Sequence, residues 1–475
     1  MGLANIFETG RSGMAAMKAS IATSGHDIAN ANTEGASRQR VQTEAAVPQP
    51  GPGHSYIGSG VGVARVERVN DQYIEKQLRD SGRNLASLQE KGMVLHQTED
   101  IFNEMGGEGL NRLISKVFNE FRKLSNDPSS EAVRQSVREA TKAMVNDFHR
   151  LRSEVGEVQK HIDSRIEGNV SELNSTAKEL AELNQRIEQL RTTGAGAPPN
   201  DLLDRRDLVL KKLATFVDIS MHTDKEGSYN VDVKGIGPLV VGAHYEHFGV
   251  NRTPADESGK PTNSLDITTS ASVSPNVTHR VKGGKLGALV ETRDKLLSTI
   301  QDRLDELAYN MSTAVNEIHR QGFTRDGLQG VDYFSHLTSK DRASELIGLS
   351  DAVRSSVNNI ATAAEADAPG DNRVAIAISG LQEARLMNGG HSTMDDYYDS
   401  IVSDVGVASA ANKSDVKQQQ DIGNQLKNMR EQISGISIDE ETANIMKFQQ
   451  AFAANARVIQ VADEMLKEVL DLRRL

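Results

Sequence analysis

The sequence predicts a mainly α protein with a small β insertion. Three observations carry that expectation: apolar residues recur at alternating steps of three and four along most of the chain, both chain ends bear such stripes, and the stretch 217–284 shifts to the short alternating runs of strands. The predicted architecture has three parts, in keeping with roughly 100 to 200 residues per domain in a chain of 475 residues. Residues 1–36 and 437–475 form a long, discontinuous, coiled-coil-like terminal domain. Residues 37–216 and 285–436 form a helical, rod-like middle domain, and residues 217–284 form a small antiparallel β domain that points outward as a separable module.

The first helix carries Phe7, Gly10, Met14, Met17, Ile21, Ser24 and Ile28 on one stripe. Gly10, Gly13 and Gly25 each cost it about 1 kcal/mol relative to Ala, so it is not expected to stand alone. Pro48 to Gly53 and Ile57 to Val63 read as an extended loop leading into a short strand. Helical periodicity follows from about Asn70 to Arg191, broken at Gly106-Gly107 and restarted at Asp127-Pro128-Ser129, with Pro128 just inside a helix start. From Leu151 onward, Val155, Val158, Ile162, Ile166, Val170, Leu173, Ala177, Leu180, Ile187 and Leu190 mark one long amphipathic helix. Gly194 to Asn200 ends it, and Leu202 to Leu213 starts the next. Short β runs at 217–221, 228–233 and 239–241 are separated by turn residues, after which Leu286 to Val315 restore the helical period over Lys285 to His319.

The last helix carries Ile445, Phe448, Phe452, Asn455, Ile459, Ala462, Leu466 and Val469 in the same steps. Matching stripes at opposite ends favour mutual pairing or packing between subunits, with Asn455 as a polar position that sets register. The candidate subunit-packing residues are therefore Phe7, Met14, Met17, Ile21 and Ile28 at one end and those eight at the other. In the isolated chain, both stripes are expected to stay disordered until neighbours cover them.

Composition removes several functions. The 66 acidic against 54 basic residues give a net charge of -12, which repels phosphate backbones and anionic membranes, so neither nucleic acid nor membrane is an expected partner. Zero cysteines exclude disulfides, thiolate metal sites and Cys nucleophiles. The first residues have neither a basic start nor a long apolar run, and no apolar stretch of about 20 residues follows. Only 37% of residues are hydrophobic and mean hydropathy is -0.47, so much of the chain lies near solvent.

No chemistry-bearing motif survives inspection. Gly58-Ser59-Gly60-Val61-Gly62 lacks the spacing of a phosphate loop and reads as a turn. Gly283-Gly284-Lys285 is followed by Leu286, and His279 stands where a P-loop needs glycine. His244 and His247, three apart in a strand or turn, face opposite ways and read as solvated. Acidic pairs such as Asp395-Asp396 and Glu440-Glu441 have no apolar surroundings to raise a pKa. No catalytic residue, metal or cofactor is expected, and the protein is read as not an enzyme.

Several segments together resemble the flagellar axial proteins of bacteria. Asp27-Ile28-Ala29-Asn30-Ala31-Asn32-Thr33-Glu34-Gly35 is similar to the Asn-Thr-x-Gly signature after that family's first helix, and Gln450 to Met465 is similar to its C-terminal signature. Ser37-Arg38-Gln39, Val69-Asn70-Asp71-Gln72-Tyr73, Asn200 to Asp207 and Gly283 to Leu289 resemble the first hook–filament junction members of the family, in family order over nearly the whole chain. The sequence departs at Ala36, where the family commonly has an aromatic residue, and in a middle that looks short for an outer domain. The resemblance implies a structural adaptor of the flagellum, joining hook to filament as a ring of copies assembled through the terminal helices. It also implies export through the flagellar type III channel with a cytoplasmic chaperone at the C-terminal helix, and the hook protein and the second junction protein as partners. The alternatives are another axial subunit (hook, distal rod or second junction protein) and an extracellular enzyme with a site in the β insertion.

Overall fold

The computed structural model describes residues 2–50, 56–102, 109–193, 199–224, 227–253, 264–270, 272, 275–368 and 370–472. The expected helix breaks at Gly106-Gly107 and Gly194 to Pro198 lie outside the described residues, as does the Gly51 to Gly53 part of the first loop. Helix α1 spans Gly2–Asn30 and is followed by strands β1 (Gln39–Ala45), β2 (Gln49–Pro50), β3 (Tyr56–Ile57) and β4 (Val61–Arg68). Helices α2 (Gln72–Phe102), α3 (Leu110–Asn126), α4 (Glu131–Thr193) and α5 (Asn200–Phe216) lead to the β insertion, which comprises β5 (Ile219–Thr223), β6 (Tyr229–Val233), β7 (Gly237–Val241), β8 (His244–Tyr245), β9 (Phe248–Thr253) and β10 (Ser264–Thr269). Helices α6 (Gly284–Glu291) and α7 (Ser298–Gln321), joined by a π-helical turn at Thr292–Leu297, precede the short helices α8 (Ala343–Leu346), α9 (Asp351–Ser355) and α10 (Arg373–Gly380). The long helices α11 (Met394–Ser434) and α12 (Ile438–Leu472) close the chain.

The helical period is realised almost as read. Helix α4 runs for 63 residues and buries Val155, Ile162, Ile166, Val170, Leu173, Ala177, Leu180 and Ile187 on one stripe, with Leu190 exposed at its far end. Pro128 is not inside that helix: it lies in the turn before it, and Ser130 accepts from the Val133 N–H at the helix start. A second correction concerns 39–68, assigned on the sequence to the helical middle domain. These residues form an antiparallel β-hairpin, with β1 on β4 and β2 on β3. Val41, Val61, Val63 and Val66 supply its β-branched content, but its strands are mostly exposed, so the alternation that reveals a half-buried strand is weak.

The β insertion is a four-stranded antiparallel sheet in the order β5-β6-β7-β8 beside the two-stranded β9–β10. Its apolar side, including Val231, Leu239, Phe248 and Ile267, is continuous with the core of the helices. Two asparagines on α4 act as surrogate backbone for it. Asn184 donates to Tyr229 and Gly242 carbonyls, both at 2.9 Å, and Asn174 accepts from the Phe248 N–H at 2.9 Å and donates to its carbonyl at 2.7 Å. The expectation of a separable outward module meets this shared core and these bonds, which tie the strands to α4 along one side.

Gly284 explains the Gly-Gly-Lys motif. Its φ of +61° and a Cβ that would sit 2.5 Å from the Phe216 carbonyl carbon require glycine where α6 starts against the end of α5.

Candidate assembly surface and its anchor

Helices α1 and α12 pair antiparallel, with Gly10 opposite Ile459 and Ser24 opposite Glu441. The face of α1 that meets α12 and the hairpin shares only Gly10 and Ser24 with the predicted stripe. It is the row of small and polar residues Gly10, Gly13, Ala16, Ser20, Ser24 and Asp27, all buried. A Cβ on Gly10 would fall 2.7 Å from Ile459 Cγ1, and one on Gly13 would fall 2.5 Å from Asn455 Oδ1. The glycines that weaken α1 as an isolated helix thus allow two backbones to approach closely. In a single chain α1 and α12 pack on each other along this face.

This pairing leaves the large apolar side chains half covered. Phe7, Met14, Met17, Ile21 and Ile28 on α1, and Ile445, Phe448, Asn455 and Ile459 on α12, are all partly exposed. Ala462 is fully buried, while Phe452, Leu466 and Val469 are 38%, 38% and 54% exposed. Met446, Val458, Val461, Met465 and Leu470, which the sequence reading did not single out, are exposed too. Two long helices therefore carry a run of apolar surface along their length, covered only in part by each other and by the hairpin on α1.

At its base this helix pair is fixed to the body by a polar anchor. Arg38 pairs with Glu441 at 2.6 Å and Glu440 at 2.9 Å, and Ser24 donates to Glu441 at 2.7 Å. Ser37 donates to Asp204 from its N–H at 2.9 Å and its hydroxyl at 2.6 Å, and Arg68 bridges Asp204 and Asp207. Arg430 binds Glu75 at 3.1 Å and the carbonyls of Gly35 and Ala36, and Lys211 also reaches Glu75. Burial opposes charge on Glu75, yet Lys211 and Arg430 hold its carboxyl below the usual range. Asp27 is fully buried and accepts from the Gln39 N–H at 3.0 Å; burial pushes its carboxyl up to about 6, and the nearby Glu441 charge adds to the effect. The Asp27 to Gly35, Ser37 to Gln39 and Asn200 to Asp207 motifs, far apart in sequence, thus meet at one junction of α1, the hairpin, α5 and the α11–α12 turn.

The other motifs are packing features. Gly60, at φ +99°, lies against α1, where Ser12 accepts from the Val61 N–H at 3.2 Å. His244 and His247 are both exposed, and His247 contacts Asn174 at 3.3 Å. Sequence reasoning missed His319 and Arg134. His319 bridges the Val331 carbonyl and the Ala361 N–H, and Arg134 donates to the Pro128 and Ile360 carbonyls in the core. Each is one isolated polar residue on a helix, and only the tertiary fold shows its partners. Among the described residues, no group of three or more His, Asp and Glu is placed to hold a metal ion, and no helix is long and apolar enough to cross a membrane.

A helical body whose two chain ends pair into one anchored, apolar-faced unit has the form of a structural subunit that packs through its termini. The model of the flagellar hook-associated protein FlgK helical domain matches residues 95–334, and that of the flagellar basal body rod FlgEFG protein C-terminal region matches 431–472. The first of these spans half of the chain, which therefore belongs to the flagellar hook-associated protein FlgK family. Flagellar hook-associated protein 1 of Bacillus subtilis is 28% identical over 98% of this chain and 97% of its own length, and that of Escherichia coli is 25% identical over 99% and 100%. The structure of the flagellar hook junction protein FlgK from Burkholderia pseudomallei shares the fold, with a TM-score of 0.65 at 15% identity over 75% of this chain and 99% of that one. The protein is a flagellar structural component, as the sequence resemblance implied.

Proposed function

We propose that this chain is a non-enzymatic adaptor that joins hook to filament as a ring of identical copies. The observation that carries the proposal is the uncovered apolar run on α1 and α12, displayed by Phe452, Leu466 and Val469 beside Phe7, Met14 and Ile21. Fully burying each such large side chain contributes about 1.5 to 3 kcal/mol, enough over several residues to drive lateral packing between copies. In this division of labour residues 1–36 and 437–475 are the axial part, the helices of 37–216 and 285–436 form the rod-like middle, and 217–284 lies outermost. The hook protein on one side and the second junction protein on the other are its neighbours in the axis. Before export through the flagellar type III channel, a cytoplasmic chaperone covers the apolar C-terminal helix. Electron microscopy of a strain lacking the gene tests the role: hooks without filaments are expected, and filaments of normal length on those hooks would refute it.

A further inference from the structure

Strand β5 ends its sheet, with β6 on one side and no strand on the other among the described residues. Asp218 accepts from the Lys234 N–H at 3.0 Å and Asp224 donates to the Ser228 carbonyl at 3.1 Å, in a register that sets Ser220 against Asp232 and His222 against Asn230. Antiparallel alternation then aims the even-numbered backbone groups at β6 and leaves the N–H and C=O groups of Ile219, Met221 and Thr223 pointing away from the sheet. These three residues line a cleft of about 470 Å³ whose opposite wall is the start of α2.

That wall carries unspent polar capacity. Lys76 and Arg79 line the cleft, and neither forms an ion pair among the described residues. The other charges are committed: Glu75 to Lys211 and Arg430, Arg83 to Asp80 and Asp218, Lys234 to Asp218, and Asp207 to Arg68. The edge strand and two cations without an ion-pair partner among the described residues thus line one cleft.

We propose that this slot takes an extended acidic segment of a neighbouring flagellar subunit, which adds to β5 as a further strand. About four residues fit along it at about 3.3 Å per residue. Their backbone bonds the outward groups of Ile219, Met221 and Thr223, and carboxylates meet Lys76 and Arg79. The slot's chemistry is independent of the junction role; only the assignment of the donor to an axial neighbour rests on it.

The test uses the purified full chain and the labelled peptide Thr-Val-Glu-Val-Asp, read by fluorescence anisotropy. Saturable binding is expected, weakened at least about tenfold by the double change Lys76→Glu with Arg79→Glu, as the loss of two charge pairs implies. A peptide N-methylated at alternate residues, which leaves the protein untouched, should bind no better than background. Absence of binding at about 1 mM peptide, or binding indifferent to both changes, overturns the proposal. A photoreactive residue in place of Thr223 in flagellated cells should crosslink to another flagellar subunit, and crosslinks confined to the same molecule would overturn the donor assignment alone.

Discussion

Glycine has opposite consequences at three positions of one helix. A Cβ on Gly10 would lie 2.7 Å from Ile459 Cγ1 and 3.3 Å from the Asn455 backbone carbonyl, so Gly10→Val should part α1 from α12 at a cost of about 1 to 3 kcal/mol. Gly13 faces only the mobile end of Asn455, and Gly25 faces open space, so Gly25→Ala should stabilise α1 by up to about 1 kcal/mol. Circular dichroism with limited proteolysis reads both, and equal effects of Gly10→Val and Gly25→Ala would refute the close approach. Two buried titratable groups also act with opposite sign. His319 is neutral, with Nδ1–H donating to Val331 at 2.7 Å and Nε2 accepting from Ala361 at 2.8 Å, and burial lowers its pKa to about 4. Because the unfolded imidazole takes its proton first, this contribution is complete above about pH 6.5 and is lost as pH falls towards 4, by about 3 kcal/mol. Urea unfolding at pH 7 and pH 4.5 should show the loss, and His319→Gln should shrink it. Asp27 runs the other way: its carboxyl, raised to about 6, makes the anchor less stable as pH rises from 4 to 6. Asp27→Asn keeps an acceptor for Gln39 and should make protease resistance of the terminal helices independent of pH over that window.

At the scale of the element, α12 has two working faces. Ile459 and Ala462 lie towards α1, whereas Phe452, Leu466 and Val469 are exposed. Changing the latter three to Ser should abolish swimming while leaving the helical dichroism of the soluble protein largely intact, since none of them belongs to the buried core. Ile459→Ser should instead lower helicity, because it removes the side chain packed against Gly10. Normal motility of the triple variant would sink the assembly surface. The hairpin shows the same division, with Val61 and Gly60 held on α1 through Ser12 while Val47 and Tyr56 near its tip stay exposed.

For the whole molecule, the shared core decides how the parts depend on one another. Replacing Thr223 to Lys282 by a Gly/Ser linker would uncover the α4 surface beneath Val231, Leu239, Phe248 and Ile267 and leave Asn174 and Asn184 without their backbone partners. A lower melting temperature of the remaining body is therefore expected in calorimetry, and an unchanged one would show that the sheet is a separable module. The helices, the β insertion and the terminal stripes were legible because a period of 3.6 or 2 is written locally in apolar spacing, as Val155 to Ile187 and 228–233 show. The absence of cysteine and the acidic balance were likewise properties of the chain by itself. Which face of α1 is buried was decided only by tertiary structure: hydrophobicity marks Phe7, Met14 and Ile21, but close backbone approach selects Gly10, Gly13 and Ala16. The same holds for the anchor, where Arg38 with Glu441, Ser37 with Asp204 and Arg430 with Glu75 join residues more than 160 positions apart. Local spacing holds no record of such pairs, because a charge or a hydroxyl looks the same in the sequence whether water or a buried partner satisfies it.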